Sequence, residues 1–437
     1  MDLHGAIIIC AGVIAFGLVS KKLDGTIATP PLVFVLFGLA IGPGGFNVAH
    51  VDVGHGLIHL IAELTLILVL FADAARIDLG LLRRDHNLPL RMLIIGLPLV
   101  VLAGTGVAVY LFPQLSIWEA ALLAAILAPT DAALGQAVVS DRSVPVRIRQ
   151  ALNVESGLND GIALPAVLLL AALASTGGAD ARDATDWLAF GALQVTLGPL
   201  AGVVLGYAGA RLIDTAADKG WMTEAFEGIG VLALALLGFV AAEAVGGNGF
   251  IAAFVAGLVF GSAVRHRCEF LFEFMETQGQ LLMLLTFLIF GAAMLPEGLD
   301  HLNWTVVLYA VLSLTVIRML PIAISLIGTG VHLPTMAFLG WFGPRGLASI
   351  LFALLIVETA EIAHGEEILA AVIVTVGWSV LLHGISAAPL ARAYGRMTEL
   401  FGECEETKPV SELPTRTGMV VQPNETTTTT RRKDMRC

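Results

Sequence analysis

Glu155-Ser156-Gly157-Leu158-Asn159-Asp160 decides how the rest of the chain is read. It sets two carboxylates, an amide and a hydroxyl into the otherwise apolar run 152 to 174, which is close to the ~20 residues needed to cross a bilayer. An ionisable side chain at that depth is costly unless it is neutralised, paired or facing a water-filled cavity, so acids placed there mark ion or proton pathways. Residues four apart share a helix face. Ser156 therefore lies under Asp160, and Glu155 lies under Asn159 on the adjacent stripe. A helix-to-helix hydrogen-bond network normally uses Asn, Ser or Thr singly; two acids so close together call for a charge-handling role. Asp160 offers a hard oxygen ligand, and burial disfavours its bare charge. One carboxylate can then hold a proton or a small cation but not both, which is the minimum chemistry of an exchanger.

The surroundings agree. Of 437 residues, 57% are hydrophobic and 14% charged, with a mean hydropathy of +0.85, far from the roughly 25% charged residues of soluble domains. The fold class is an all-α polytopic membrane protein, because lipid cannot satisfy exposed backbone groups and forces each span into a helix. About thirteen apolar spans of near-membrane length are predicted, with cores at 6–20, 31–42, 57–75, 90–111, 117–139, 152–174, 187–213, 223–244, 248–263, 280–295, 303–327, 335–357 and 367–391. Residues 1–398 form one transmembrane domain. Residues 399–437, with their threonine run 426–430 and Arg431-Arg432-Lys433, read as a disordered tail.

Lysine and arginine alternate between loops. Lys21 and Lys22, Arg76 to Arg91, Arg142 to Arg149, Arg211 and Lys219, Arg265 and Arg267, and Arg392 and Arg396 fall on one side; the other side holds only Arg182. By the positive-inside rule the N-terminus is outside and the C-terminus cytoplasmic, in the cell membrane. The loop 328–334, with only His332, is the exception. The first span lacks a basic n-region and a cleavage site and is read as retained. Nucleic acid is not an expected partner. Cys10, Cys268, Cys404 and Cys437 suggest neither a disulfide framework nor a metal knuckle. His55 and His59 have the spacing of metal ligands without the glutamate of a zinc-protease motif, and read as a loop and helix start. No nucleophile elbow, phosphate loop or dinucleotide fingerprint is present, and no cofactor is expected; the chain does not read as an enzyme.

Two further elements complete the site. Ala128-Pro129-Thr130-Asp131 interrupts the fifth span. Proline removes a backbone hydrogen bond, so the reading is either a plain kink or a break whose freed carbonyls and the Thr130 hydroxyl face a cation, with Asp131 capping the half-helix that follows. Gly343-Pro344-Arg345-Gly346 lies at a similar depth in the twelfth span. Paired interruptions in two halves point to an inverted-repeat transporter with its site at the midplane. Arg345 is expected to pair with Glu155. Arg318, ahead of Pro321, is expected to bridge broken backbone, with snorkelling to the membrane edge as the alternative. Asp73 is an accessory candidate that reads equally well as an interfacial acid beside Arg76.

Taken in order, Pro129-Thr130-Asp131, Glu155 to Gly161 and Gly343 to Gly346 resemble the cation:proton antiporters of the NhaP and sodium/proton exchanger type, over about residues 5–398. The resemblance implies an NhaA/NhaP-like fold with two crossed, broken helices, a separate dimerisation domain, homodimers and elevator-like alternating access. It makes Asp160 the ion-binding aspartate beside Asn159, with Ser156 and the Thr130 main chain as accessory ligands and Glu155 with Arg345 as the core ion pair. The Asn-Asp pair resembles the electroneutral branch, one cation for one proton. The expected substrates are H+ and Na+, with Li+ or K+ as the other ions. The rival readings are a cation channel and a non-transporting ion sensor.

Overall fold

The computed structural model describes residues 3–23, 25–48, 55–77, 87–175, 184–264, 269–357, 361–402 and 404–408, and gives residues 3–4, 55–59, 184–195, 269–276 and 356 as backbone only. Its helices are α1 (Leu3–Leu23), α2 (Pro30–Ile41), α3 (His55–Arg76), α4 (Asn87–Leu111), α5 (Ile117–Ile126), α6 (Ala132–Val139), α7 (Val146–Ala174), α8 (Ala184–Asp218), α9 (Glu224–Ala244), α10 (Gly249–Val264), α11 (Glu269–Ile289), α12 (Leu295–Asp300), α13 (Trp304–Leu314), α14 (Val316–Ser325), α15 (Leu333–Trp341), α16 (Leu347–Phe352) and α17 (Gly365–Thr398). Among the described residues there is no strand, only an isolated bridge between Ser175 and Ile362. Among the described residues eight helical stretches are long and apolar enough to cross a membrane, and α2, α5 and α10 are shorter apolar helices. The interruptions fall where proline and glycine predict them: α5 gives way to α6 at Pro129, and α15 to α16 at Gly343-Pro344.

Helices that pack in lipid gain little from hydrophobicity alone and rely on small residues that let backbones approach. On α8, a Cβ added to Gly202 would lie 2.6 Å from the Ala252 carbonyl oxygen, and one added to Gly206 would lie 2.6 Å from that of Ala256. The far face of α10 meets α3 in the same way, with Gly257 against Phe71 and Gly261 against Ala75. The α8, α10 and α3 helices thus form one tightly stacked panel, while α7 packs mainly on α5 and α6, and α17 packs on α13, α12 and α6.

The two ends of the molecule separate cleanly along α17, whose 34 residues extend about 50 Å at 1.5 Å per residue. At its N-terminal end Gln114 Nε2 donates to Glu367 (2.7 Å), and the Glu119 carboxylate accepts from the His364 N–H (3.0 Å). Glu119 also closes a capping box with Ser116 that starts α5. At its C-terminal end Arg392 donates to the Gly25 carbonyl (2.9 Å), next to the loop that follows Lys21 and Lys22.

At that second end the segment after α17 meets the bundle, with a short 3-10 turn at Glu405–Thr407. Arg147 donates to the Glu405 carboxylate at 2.6 Å. Glu406, fully buried, accepts from the His332 N–H (2.7 Å) and the Thr335 hydroxyl (2.8 Å). Burial pushes the Glu406 carboxyl up, but the His332 N–H and neighbouring side chains outweigh it and hold it at about 2. Low complexity begins only further on, and Glu405 and Glu406 find partners on the bundle. The same contacts bring the loop 328–334, poor in basic residues, to the face that carries Arg147 and Arg392. Residues 409–437, Arg182, Cys268 and the side chains of His55 and His59 lie outside the described residues.

Glycine at the α8–α10 contact is a steric requirement. Gly206→Leu should destabilise the protein by at least about 1–3 kcal/mol, the usual cost of overpacking, seen as a lower thermal midpoint in detergent. Gly17→Leu, where nothing lies within 4 Å, should leave the midpoint unchanged.

Candidate functional site

The helix breaks leave backbone groups unsatisfied inside the bundle, and each break is completed by the other. Asp131 N-caps α6, its Oδ1 accepting from the N–H groups of Ala133 (2.7 Å) and Leu134 (3.2 Å). Its Oδ2 accepts from the N–H of Leu347 (2.6 Å), the first residue of α16. The Asp131 N–H donates to the Pro344 carbonyl at 2.8 Å. One carboxylate therefore serves two helix N-termini, whose positive dipole ends it neutralises. Gly346 is required beside it, since a Cβ there would collide with the Asp131 carboxylate.

Arg345 does the opposite work. Its Nη1 donates to the carbonyls of Ala128 and of Pro129 (3.2 Å), at the negative end of α5, and its N–H donates to Ser379 Oγ (2.7 Å). Ser349 Oγ donates to the Ile126 carbonyl (2.8 Å). The carbonyls freed by Pro129 are thus held by a guanidinium and a hydroxyl, and Pro129 marks a true break, with Pro344 its counterpart.

The expected partner of Glu155 is corrected. Arg318 Nη2 lies 2.6 Å from Glu155 Oε1, with both side chains almost wholly enclosed. Arg318 bridges no broken backbone there, and at 1% exposure it does not snorkel. The reason is local geometry: the helix Trp304–Ser325 is interrupted at Thr315 (φ −115, ψ −95), one turn before Arg318. Gly343, having no Cβ, leaves the room the Arg318 guanidinium fills. Arg345 follows Pro344 in non-helical backbone and is aimed at α5 instead. Helical periodicity could not assign its direction.

On α7, the Thr130 hydroxyl is 3.0 Å from Ser156 Oγ and accepts from Asn159 Nδ2 at 2.6 Å. All three are buried, and the Asn159 amide oxygen is enclosed without a hydrogen-bond donor. Asp160, half-buried, follows Asn159 and stands one turn from Ser156, with Oδ1 enclosed. Thr130 contributes through its hydroxyl in these contacts. Asp73 lines a separate crevice with Arg76, Ile77, Ala132, Asn153, Val154 and Gly157, its carbonyl oxygen 4.0 Å from the position of a Gly157 Cβ. It borders the start of α6. Sequence reading missed Ser349, Ser379 and His383. His383 is buried at 2.9 Å from both the Trp341 and Ser379 carbonyls. A serine and a histidine at positions 379 and 383 of an apolar span were the available signal.

Two interrupted helices crossing in the interior of an all-helical membrane protein, next to a half-buried carboxylate, define the secondary-transporter class. The chain belongs to the family described as sodium/hydrogen exchanger, transmembrane, whose model matches residues 6–393. It is similar to a K(+)/H(+) antiporter NhaP of Alkalimonas amylolytica, 26% identical over 86% of this chain and 63% of that one. It is also similar to the Na(+)/H(+) antiporter ApNhaP of Aphanothece halophytica, 27% identical over 84% and 71%. Two yeast relatives, from Schizosaccharomyces pombe and Zygosaccharomyces rouxii, are spanned over only 40% and 42% of their length. The fold matches the solved structure of the sodium proton antiporter MjNhaP1 from Methanocaldococcus jannaschii, with a TM-score of 0.75 at 19% identity, covering 92% of this chain and 98% of that one.

The pairing is open to a direct check. Removing one partner of a buried ion pair costs about 3–5 kcal/mol, whereas replacing both costs far less. Glu155→Gln and Arg318→Met should each lower thermal stability sharply, and the double variant should recover much of the loss. Glu155→Gln combined with Arg345→Met should show a smaller recovery.

Proposed function

We propose that the chain exchanges a monovalent cation for H+ by alternating access, with Asp160 as the residue that binds one or the other. The observation that carries this reading is the charge balance of the crossing. Arg318, Arg345, Glu155 and Asp131, all buried, cancel formally, and Asp160 is the acid beyond that balance. A bare carboxylate at that depth must be neutralised before its surroundings can move through the bilayer. A proton and a small cation do this equally well and exclusively. The coupling follows, because neither ion can be carried with the other and the empty site is penalised.

Asn159, Ser156 and Thr130 supply neutral oxygens beside the carboxylate. The Asn159 amide oxygen accepts no hydrogen bond, which suits it to a hard monovalent cation. With Asn159 where a second acid would stand, one negative charge serves each cycle, so exchange is one cation for one H+ and electroneutral. Na+ is the first ion to test, with K+ and Li+ beside it, since the relatives include both Na(+)/H(+) and K(+)/H(+) antiporters. The working unit is a homodimer in the cell membrane. The face bearing Lys21, Lys22, Arg147 and Arg392 is cytoplasmic by the positive-inside rule, with the N-terminus outside.

The test uses the full chain in proteoliposomes with an inward acid gradient and a pH-sensitive dye, adding Na+, Li+, K+ and choline in turn. One or more of the alkali cations should dequench the dye while choline does not. Asp160→Asn should abolish the response while eluting as a folded protein of unchanged size. Wild-type exchange in Asp160→Asn would overturn the mechanism.

A further inference from the structure

At the face where residues 404–408 dock, three side chains of different chemistry converge. His332 lies in the loop before α15, and Cys404 and Glu406 lie on the segment after α17. One ligand atom from each, imidazole nitrogen, thiol sulfur and carboxylate oxygen, lies within 4.8 Å of the other two. His332 Nδ1 is 3.1 Å from Glu406 Oε1. On a tetrahedral zinc ion such ligands stand roughly 3.3–3.6 Å apart. Small side-chain rotations therefore close the three around one ion.

We propose that His332, Cys404 and Glu406 form a binding site for a borderline-soft divalent cation of the Zn2+ class, with water in the fourth position. The donor set selects this class: imidazole and thiolate together disfavour Mg2+ and Ca2+, which take oxygen ligands. Glu406 is fully buried, and its Oε2 is enclosed with no hydrogen bond, an unused ligand atom facing no solvent. Its other oxygen is oriented by the His332 N–H and by the Thr335 hydroxyl, which also contacts Tyr394 Oη at 2.9 Å. Carboxylate ligands are oriented by outer-shell hydrogen bonds of this kind. His332 is stacked on Phe401, with ring centroids 4.3 Å apart, which limits the imidazole's rotation. Cys404 is partly accessible, so the ion has a route in.

The site joins two parts of the chain 72 residues apart (His332 and Cys404). Occupied, it would fasten the segment after α17 to the loop that leads into α15, the first half of a broken helix. The proposal is independent of Asp160 and of exchange: it concerns a resident ion on the face where the basic loops gather, not the transported one.

The experiment uses the full chain with Cys10→Ser, Cys268→Ser and Cys437→Ser, leaving Cys404 as the one thiol. Zn2+ alone is the probe, and the rate of maleimide labelling of Cys404 is the readout. Co2+ absorption from thiolate charge transfer serves as a second, spectroscopic measure. One equivalent of Zn2+ should slow labelling by on the order of tenfold or more, and Co2+ should give a thiolate band that Zn2+ removes. His332→Ala, which keeps the thiol, should abolish both effects. Thr335→Val should weaken Zn2+ by on the order of 10–100-fold, as outer-shell changes do. Unchanged labelling in the parent with no Co2+ band, or equal protection in His332→Ala, would overturn the site. Exchange in proteoliposomes, scored separately by Asp160→Asn, does not enter either outcome.

Discussion

A helix that stops inside a bilayer leaves carbonyls at one end and N–H groups at the other, and each costs several kcal/mol if nothing meets it. This chain stops two helices, at Pro129 and at Gly343-Pro344, and satisfies both sets of groups by crossing them. Asp131 takes the N–H groups of α6 and α16, and Arg345 takes the carbonyls of α5. Opposite charges sit at opposite dipole ends, each stabilised where it lies. Because Asp131 also caps α16 and Arg345 holds the carbonyls of α5, each break is completed in part by the other. The close approach of Gly346 to Asp131 follows from this arrangement.

The buried ion pair is the second consequence. Two arginines this deep would be prohibitive unless paired and hydrogen-bonded. Arg345 is occupied by α5, so Glu155 is left to Arg318, with 2.6 Å between them. The four charges cancel into a neutral frame, and Asp160 stands beyond them as the further carboxylate that the proposed exchange takes as its binding group. A pair of arginines on a single acid, with nothing else, would have held a positive site that repels cations. In the proposed exchange, the frame and the binding group are therefore one electrostatic arrangement.

The docked segment after α17 belongs to a different level of organisation. Glu405 and Glu406 reach Arg147 at the start of α7 and His332 and Thr335 at the start of α15. These helices carry Ser156 and Asn159 and lead into the second break. A short stretch beyond the last span is thereby coupled to the elements that hold the site, though it touches none of the site residues.

The sequence by itself determined the class, the interruptions and the cast of polar residues. Apolar spans of bilayer length admit only helices, proline and glycine cannot continue one, and an acid at such depth needs a reason. Ser156, Asn159 and Asp160 lie within little more than one turn of α7 as their spacing implied, because that spacing is set by one repeating geometry, whereas Thr130 reaches Ser156 and Asn159 only through packing. Tertiary structure alone decided which arginine faces Glu155, since Arg345 lies in non-helical backbone where no periodicity gives its direction, and Arg318 follows a break at Thr315 that no proline announces. It also decided that Ser349 and Ser379 complete the crossing, and that His332 meets Cys404 and Glu406. Contacts between residues far apart in the chain depend on how the helices pack, and no local pattern carries that information.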